Sequence, residues 1–176
     1  MKWKGGLSLK DKSQLLDKET SVDLVVFSEL VTQKIEHLPI FKKYNYRMIS
    51  TNNKMLKMFS WEERSETICE LILRNKLREV KVSLFPKNGG HLLVKLRRLD
   101  YGENGIDQFV VSRYFELNDN NGDDRSCFAL INFIGSIEDK VEKSLSCINR
   151  VFEKHFETIL SGEEWIDVPP SHYDYR

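Results

Sequence analysis

Glu79-Val80-Lys81-Val82-Ser83-Leu84-Phe85 leads through Pro86-Lys87-Asn88-Gly89-Gly90 into His91-Leu92-Leu93-Val94-Lys95-Leu96-Arg97-Arg98-Leu99. Two runs of mostly alternating polarity flank a turn rich in Asn and Gly, which predicts an antiparallel hairpin. The pattern continues downstream. Residues 102–107 read as a turn into a third strand over 108–117, and residues 118–124 as a turn into a fourth over 126–134. Connections this short favour a meander over crossovers. The fourth run, Cys127-Phe128-Ala129-Leu130-Ile131-Asn132-Phe133-Ile134, is apolar on both faces. Read as a strand, it is central or covered on both sides. That coverage comes from the N-terminal helices or from a second copy of the chain.

The next segment has helical period. Ile137, Val141, Leu145, Ile148, Phe152, Phe156 and Ile159 recur every three or four residues. Ser136 is the expected N-cap, with Asp139 three residues on, and Gly162 is the expected stop. The stripe spans more than six turns, roughly 36 Å at about 1.5 Å per residue. It reads as a helix laid across the meander, the alternative being a free partner-binding helix. Upstream, a short helix is expected over residues 8–18. A second begins near Thr20, paired with Asp23 in a capping-box pattern, and ends at Pro39. Residues 44–50 read as a short strand, Thr51-Asn52-Asn53 as a turn, and Ser60 with Glu63 as the box opening a helix that runs to Arg78. The expected architecture is α+β: one domain over residues 1–176, a four- to five-stranded antiparallel meander with N-terminal helices and a long C-terminal helix packed on it. Residues 163–176 form a tail, with Trp165 and Ile166 stapling it to the core.

The 176 residues are 40% hydrophobic and 31% charged, the balance of a soluble globular chain with room for a core. No apolar run reaches the roughly 18–20 residues of a membrane span. The first residues are basic but lack the apolar stretch of a secretory signal. Cys69, Cys127 and Cys147 are odd in number, widely spaced and set among apolar neighbours. They read as buried reduced thiols, and hence as a reducing, cytoplasmic setting.

The net charge is zero but unevenly spread. Residues 42–98 hold 14 Lys/Arg against 5 Asp/Glu, and residues 99–176 hold 7 against 16. Separated charge of this kind steers and selects partners. The basic segment Lys42, Lys43, Arg47, Lys54 and Lys57 contains no acid and is interleaved with Tyr44, Tyr46, Phe59 and Trp61. Cations with stacking planes are the chemistry of single-stranded nucleic-acid binding; a solvated surface with inward aromatics is the plainer account. Tyr173 and Tyr175 in the tail are further candidate contacts, since tyrosines anchor interfaces.

Arg113 stands out in the third strand, on the same face as Phe109, Val111, Phe115 and Leu117. It marks either a carboxylate-binding pocket between sheet and helix, or a bulge or snorkelling side chain. The loop at residues 118–124 has Leu117 where a calcium loop needs its first carboxylate, so it reads as a polar hairpin turn. His37, His91, His155 and His172 lack metal-ligand spacing. No nucleophile elbow, phosphate loop or dinucleotide fingerprint is present, so no catalytic residue, metal or cofactor is assigned.

Three functions follow in order. The first is a non-enzymatic protein-binding module, such as an adaptor, chaperone or inhibitor/immunity-type partner. It would dock through its charged surface at Lys42, Lys43, Tyr44, Tyr46, Arg47, Lys54, Lys57, Tyr173 and Tyr175. The second is a single-stranded nucleic-acid binder using residues 42–61. The third is a small-ligand carrier or enzyme with a cavity between long helix and sheet, containing Arg113. No membrane partner is expected, and a homodimer is compatible with the reading.

Overall fold

A computed structural model describes residues 21–59, 63–100, 107–118 and 122–169. The chain runs α1 (Leu24–Ile35), α2 (Pro39–Lys43), β1 (Arg47–Phe59), β2 (Glu63–Arg74), β3 (Arg78–Phe85), β4 (His91–Arg98) and β5 (Gln108–Val110). Helices α3 (Val111–Leu117) and α4 (Gly122–Ser126), a single 3-10 turn at Leu130–Asn132, α5 (Ile137–His155) and α6 (Glu157–Ser161) follow. The strands form one sheet in the order β1-β2-β3-β4-β5, every pair antiparallel. The α+β class, the meander and the long helix on the sheet are therefore present.

The quoted hairpin forms in the expected register, with Val80 opposite Leu96, Val82 opposite Val94 and Leu84 opposite Leu92. These side chains are buried, whereas Lys81 and Lys95 face each other on the opposite side. Asn88, Gly89 and Gly90 all have positive φ, so the turn uses the residue types that tolerate it. Helix α5 has the expected reciprocal capping box between Ser136 and Asp139, and Gly162 ends α6 with φ +92°. A side chain at Gly162 would lie 2.4 Å from Leu77 Cδ1. The stripe residues Val141, Leu145, Ile148, Phe152, Phe156 and Ile159 are all buried. Each contributes roughly 1.5–3 kcal/mol through apolar burial.

Helix α1 buries Phe27, Val31 and Ile35 in the same core as α5. Both helices thus cover one face of the sheet, so α1 does not supply the expected cover of the opposite face; the other expected N-terminal helix, over residues 8–18, lies outside the described residues. At the far end of the core, Arg78 is a buried clamp. Its guanidinium donates to the carbonyls of Ile159, Gly162 and Glu164 and to Asp100. It thereby satisfies carbonyls that the end of α6 leaves open. Trp165 stacks on Phe109 and on the Arg78 and Arg98 guanidinium groups, and Val168 is buried, so this part of the tail is held against the core.

Five local expectations are corrected. The segment read as turn and helix, residues 51–78, is mostly the β1–β2 hairpin. Thr51-Asn52-Asn53 lies inside β1, because an exposed edge strand accepts polar residues that a central strand would not. Ser60 lies outside the described residues, and Glu63 begins β2 rather than a helix. Residues 68–73 alternate, with Cys69, Leu71 and Leu73 inward; a short apolar run fits either period until its pairing is known. The third strand ends at Val110, and residues 111–117 are helical. The fourth run makes one bridge, Ala129 to His91, and is otherwise turn and 3-10 helix, leaving Ile131 and Ile134 exposed. Helices, not strands, therefore flank this stretch, and Gly122, Asp123 and Asp124 already belong to α4. The α1 N-cap is Asp23, whose carboxylate accepts from the Val25 and Val26 amides, rather than Thr20, which lies outside the described residues with the expected helix at 8–18.

Cys127 and Cys147 form a disulfide, and only Cys69 is free. This corrects the reading of three reduced thiols and does not fit a reducing cytoplasm. Among the described residues no helix is long and apolar enough to cross a membrane.

Candidate functional site

The face of the sheet opposite α1 and α5 carries charges in alternating order. Glu70 on β2 accepts from Lys54 on β1 and Lys81 on β3. Burial alone would raise the Glu70 carboxyl's pKa; the two lysine hydrogen bonds outweigh it and lower it. Arg74 pairs with Glu79, which lies opposite Arg97, and Arg97 pairs with Asp107. The network follows directly from register, since residues opposite one another share a face.

Other bridges join the basic and acidic parts of the sequence. Lys43 bonds Glu157, and Arg78 and Arg98 both reach Asp100. Much of the apparent charge polarity is thus neutralised within the fold. The cations of α2 and β1 join in this pairing, Lys43 with Glu157, Arg47 with Glu36 and Lys54 with Glu70, yet their side chains stay outward. Lys42 is exposed, and the side chains of Lys43, Arg47 and Lys54 are 60%, 77% and 52% exposed.

These residues lie along the outer strand of the sheet. β1 is 13 residues long and pairs only through β2, so its other edge has no strand neighbour among the described residues. Its pairing with β2 continues for six residue pairs, Lys54 opposite Ile68 through Phe59 opposite Glu63, past the last β2–β3 pair at Cys69 and Leu84. At about 3.4 Å per residue this is a two-stranded extension of roughly 20 Å. Thr51 through Met55 are exposed on both faces, and Met55 alone is 70% exposed. A bulge between Met48 and Ser50 turns the strand near its start. From His37 to Trp61 the sequence contains no Asp or Glu. Among the described residues no strand takes up the outer backbone donors and acceptors of β1, and the segment that forms it carries cations but no acid.

The structure separates the sequence-selected residues. Arg47 and Lys54 share β1. Tyr46 is buried against Phe41, and its hydroxyl donates to the Leu160 carbonyl. Burial pushes its phenol well above the ordinary range. Tyr44 donates to Glu157, whose carboxyl is held low by hydrogen bonds from Lys43 and then Tyr44. Neither ring is a free stacking plane. Trp61, Tyr173, Tyr175 and the side chain of Lys57 lie outside the described residues. Arg113 is on helix α3, where it pairs with Glu116 one turn on and donates to the Pro169 carbonyl. Its apparent break in strand parity came from reading a helix with period two.

A second polar cluster closes the opposite side of the molecule. Asp124, at the start of α4, is buried and accepts from His155 Nε2 at 2.8 Å and Lys154 Nζ at 2.9 Å. The His155 and then Lys154 hydrogen bonds hold its carboxyl below the usual range. His155 packs among Tyr114, Phe115 and Phe156. No described nucleophile bonds this pair, so it fastens α4 to α5. Among the described residues no group of His, Cys, Asp and Glu could hold a metal ion.

Sequence reasoning missed Thr51, Asn52, Asn53 and Met55 as surface-edge residues. The signal was the acid-free stretch itself: Lys54-Met55-Leu56-Lys57-Met58-Phe59 mixes cations with strand-compatible residues. No family model matches the chain, and no curated protein or solved structure matches it.

Proposed function

We propose that this protein is a non-enzymatic protein-binding module that docks by adding an acidic extended segment of its partner to the outer edge of β1. One observation carries the reading: a 13-residue edge strand, free of acidic residues, continues past the body of the sheet without a strand neighbour among the described residues. Natural sheets usually shorten or cover such edges, because unpaired backbone groups recruit further strands. Strand addition draws affinity from main-chain hydrogen bonds and specificity from alternate side chains. Lys54 and Arg47 select for a negative partner strand and disfavour pairing of two such edges. The nucleic-acid alternative loses support because Tyr44 and Tyr46 are engaged within the fold.

The test is fluorescence anisotropy with a ten-residue peptide alternating Glu and Val. Saturable binding is expected, weakened by salt, weakened several-fold by Lys54→Gln plus Arg47→Gln, and lost when alternate peptide amides are N-methylated. A Lys/Val peptide binding equally well, or indifference to N-methylation, would overturn it. Light scattering of the free protein reports self-pairing, the competing occupant of the edge.

A further inference from the structure

The opposite edge of the sheet holds a different feature. The chain leaves β5 at Val110 to form α3 and returns to β4 only where Ala129 bridges His91. Between these attachments a cavity of about 300 Å³ opens beside β4. Leu92 and Val94 reach it from the sheet, Val111 and Phe115 from α3, and Phe128 from the returning segment. This volume is at the lower end of small-molecule sites, and the lining has their apolar character.

Two polar side chains in the lining keep donors available, Ser112 and Arg125, the latter in a long ion pair with Glu116. The Ser112 hydroxyl makes no hydrogen bond to a described residue. Arg125 is half exposed, and its nearest carboxylate, Glu116, is 3.8 Å away, beyond hydrogen-bond distance. His91, by contrast, is bonded through Nε2 to the Asn88 carbonyl. The wall bearing Arg125 and Phe128 is held in place from behind. The Cys127–Cys147 disulfide joins it to α5, Ser144 donates to the Cys127 carbonyl, and Asp124 is clamped by Lys154 and His155. A cavity so braced needs little ordering to receive a ligand.

We propose that this notch binds a small hydrophobic carboxylate, its apolar body between Val94, Phe115 and Phe128 and its carboxylate on Arg125, with Ser112 as a second donor. A planar guanidinium fork matches a carboxylate in two parallel hydrogen bonds. One such fork with a single hydroxyl falls short of the several donors that gather round a phosphate. The site lies on the far edge from β1 and stands independently of the strand-addition reading.

The experiment titrates the full chain with sodium decanoate, below its micelle concentration, and with decanol, reading backbone amide shifts and heats of binding. Decanoate should saturate one site, with shifts gathered at residues 91–94, 111–115 and 125–129. Decanol should bind about tenfold more weakly, because it lacks the charge-assisted bonds. Arg125→Met should bring decanoate to the level of decanol without changing the melting temperature. Ala129→Trp should block both ligands; should it unfold the protein, Ser112→Leu narrows the same cavity from the other wall. No saturation at millimolar decanoate, shifts elsewhere in the protein, or native affinity in Arg125→Met would each overturn the proposal.

Discussion

The two edges of this sheet are finished in opposite ways. At one, β1 runs 13 residues with no strand neighbour on its outer side among the described residues, and residues 51–55 are exposed. At the other, β5 is only three residues long, and the chain then turns into α3, crosses to α4, touches β4 again at Ala129 and is tied to α5 by a disulfide. The second edge is protected by brevity and cover; the first relies on cations and a bulge. Protection by packing leaves a small cavity suited to a ligand, whereas protection by charge leaves a surface suited to a chain of opposite charge. The two proposed recognition sites thus lie on opposite edges of one sheet and would not compete.

The contrast is sharpest in stability. Phe115 is buried beside the braced edge, in edge-on contact with His155 and Phe156. Phe115→Ala should cost about 3–5 kcal/mol in chemical denaturation. Met55→Ala on the open edge should stay within about 0.5 kcal/mol. Equal costs would mean that the two edges are not finished differently after all.

Next in size is the cross-link. It closes a sequence separation of 20 residues. Chain entropy assigns about 3 kcal/mol to a loop of that length. Cys127→Ala with Cys147→Ala should lower stability by that amount, and a reductant should do the same to the native protein. The β1 edge should keep its affinity for the acidic peptide throughout.

The smallest effect is in acid. The Asp124 carboxyl titrates below its ordinary value in the folded state, through hydrogen bonds from His155 and Lys154. Its contribution is present above the unfolded pKa of about 3.9 and is lost as pH falls through the lower folded value. Asp124→Asn should cost about 2 kcal/mol near neutrality, the range of a hydrogen bond to a charged group, and should flatten the acid limb. An unchanged acid limb would show that α4 is not held this way.

How much was legible depended on whether an element's neighbours could be read locally. The β3–β4 hairpin carries period and turn together, and α5 carries period and N-cap, and these agree; the expected stop at Gly162 ends α6 instead, since α5 breaks at Phe156. Residues 111–117 show where agreement fails. Val111 and Phe115 are spaced by four and fit a helix face, yet Phe109, Val111, Phe115 and Leu117 also fit a strand. Arg113 was the discordant residue, and the discord marked the wrong period. β2 failed for the same reason in reverse. Of the candidate site, Arg47 and Lys54 stand out in the sequence, but their place on an outer strand does not, because Thr51-Asn52-Asn53 has turn composition and only its exposure in the fold makes it tolerable in a strand.

By itself the sequence determined the α+β class, the β3–β4 hairpin and the long helix with its N-cap, since alternation, helical period and capping residues act over a few neighbours. The tertiary structure alone decided which strand stands outermost, which cysteines meet, which carboxylate neutralises which lysine, and where β4 is left uncovered. Each depends on groups far apart along the chain, and local preference has no means of expressing that separation.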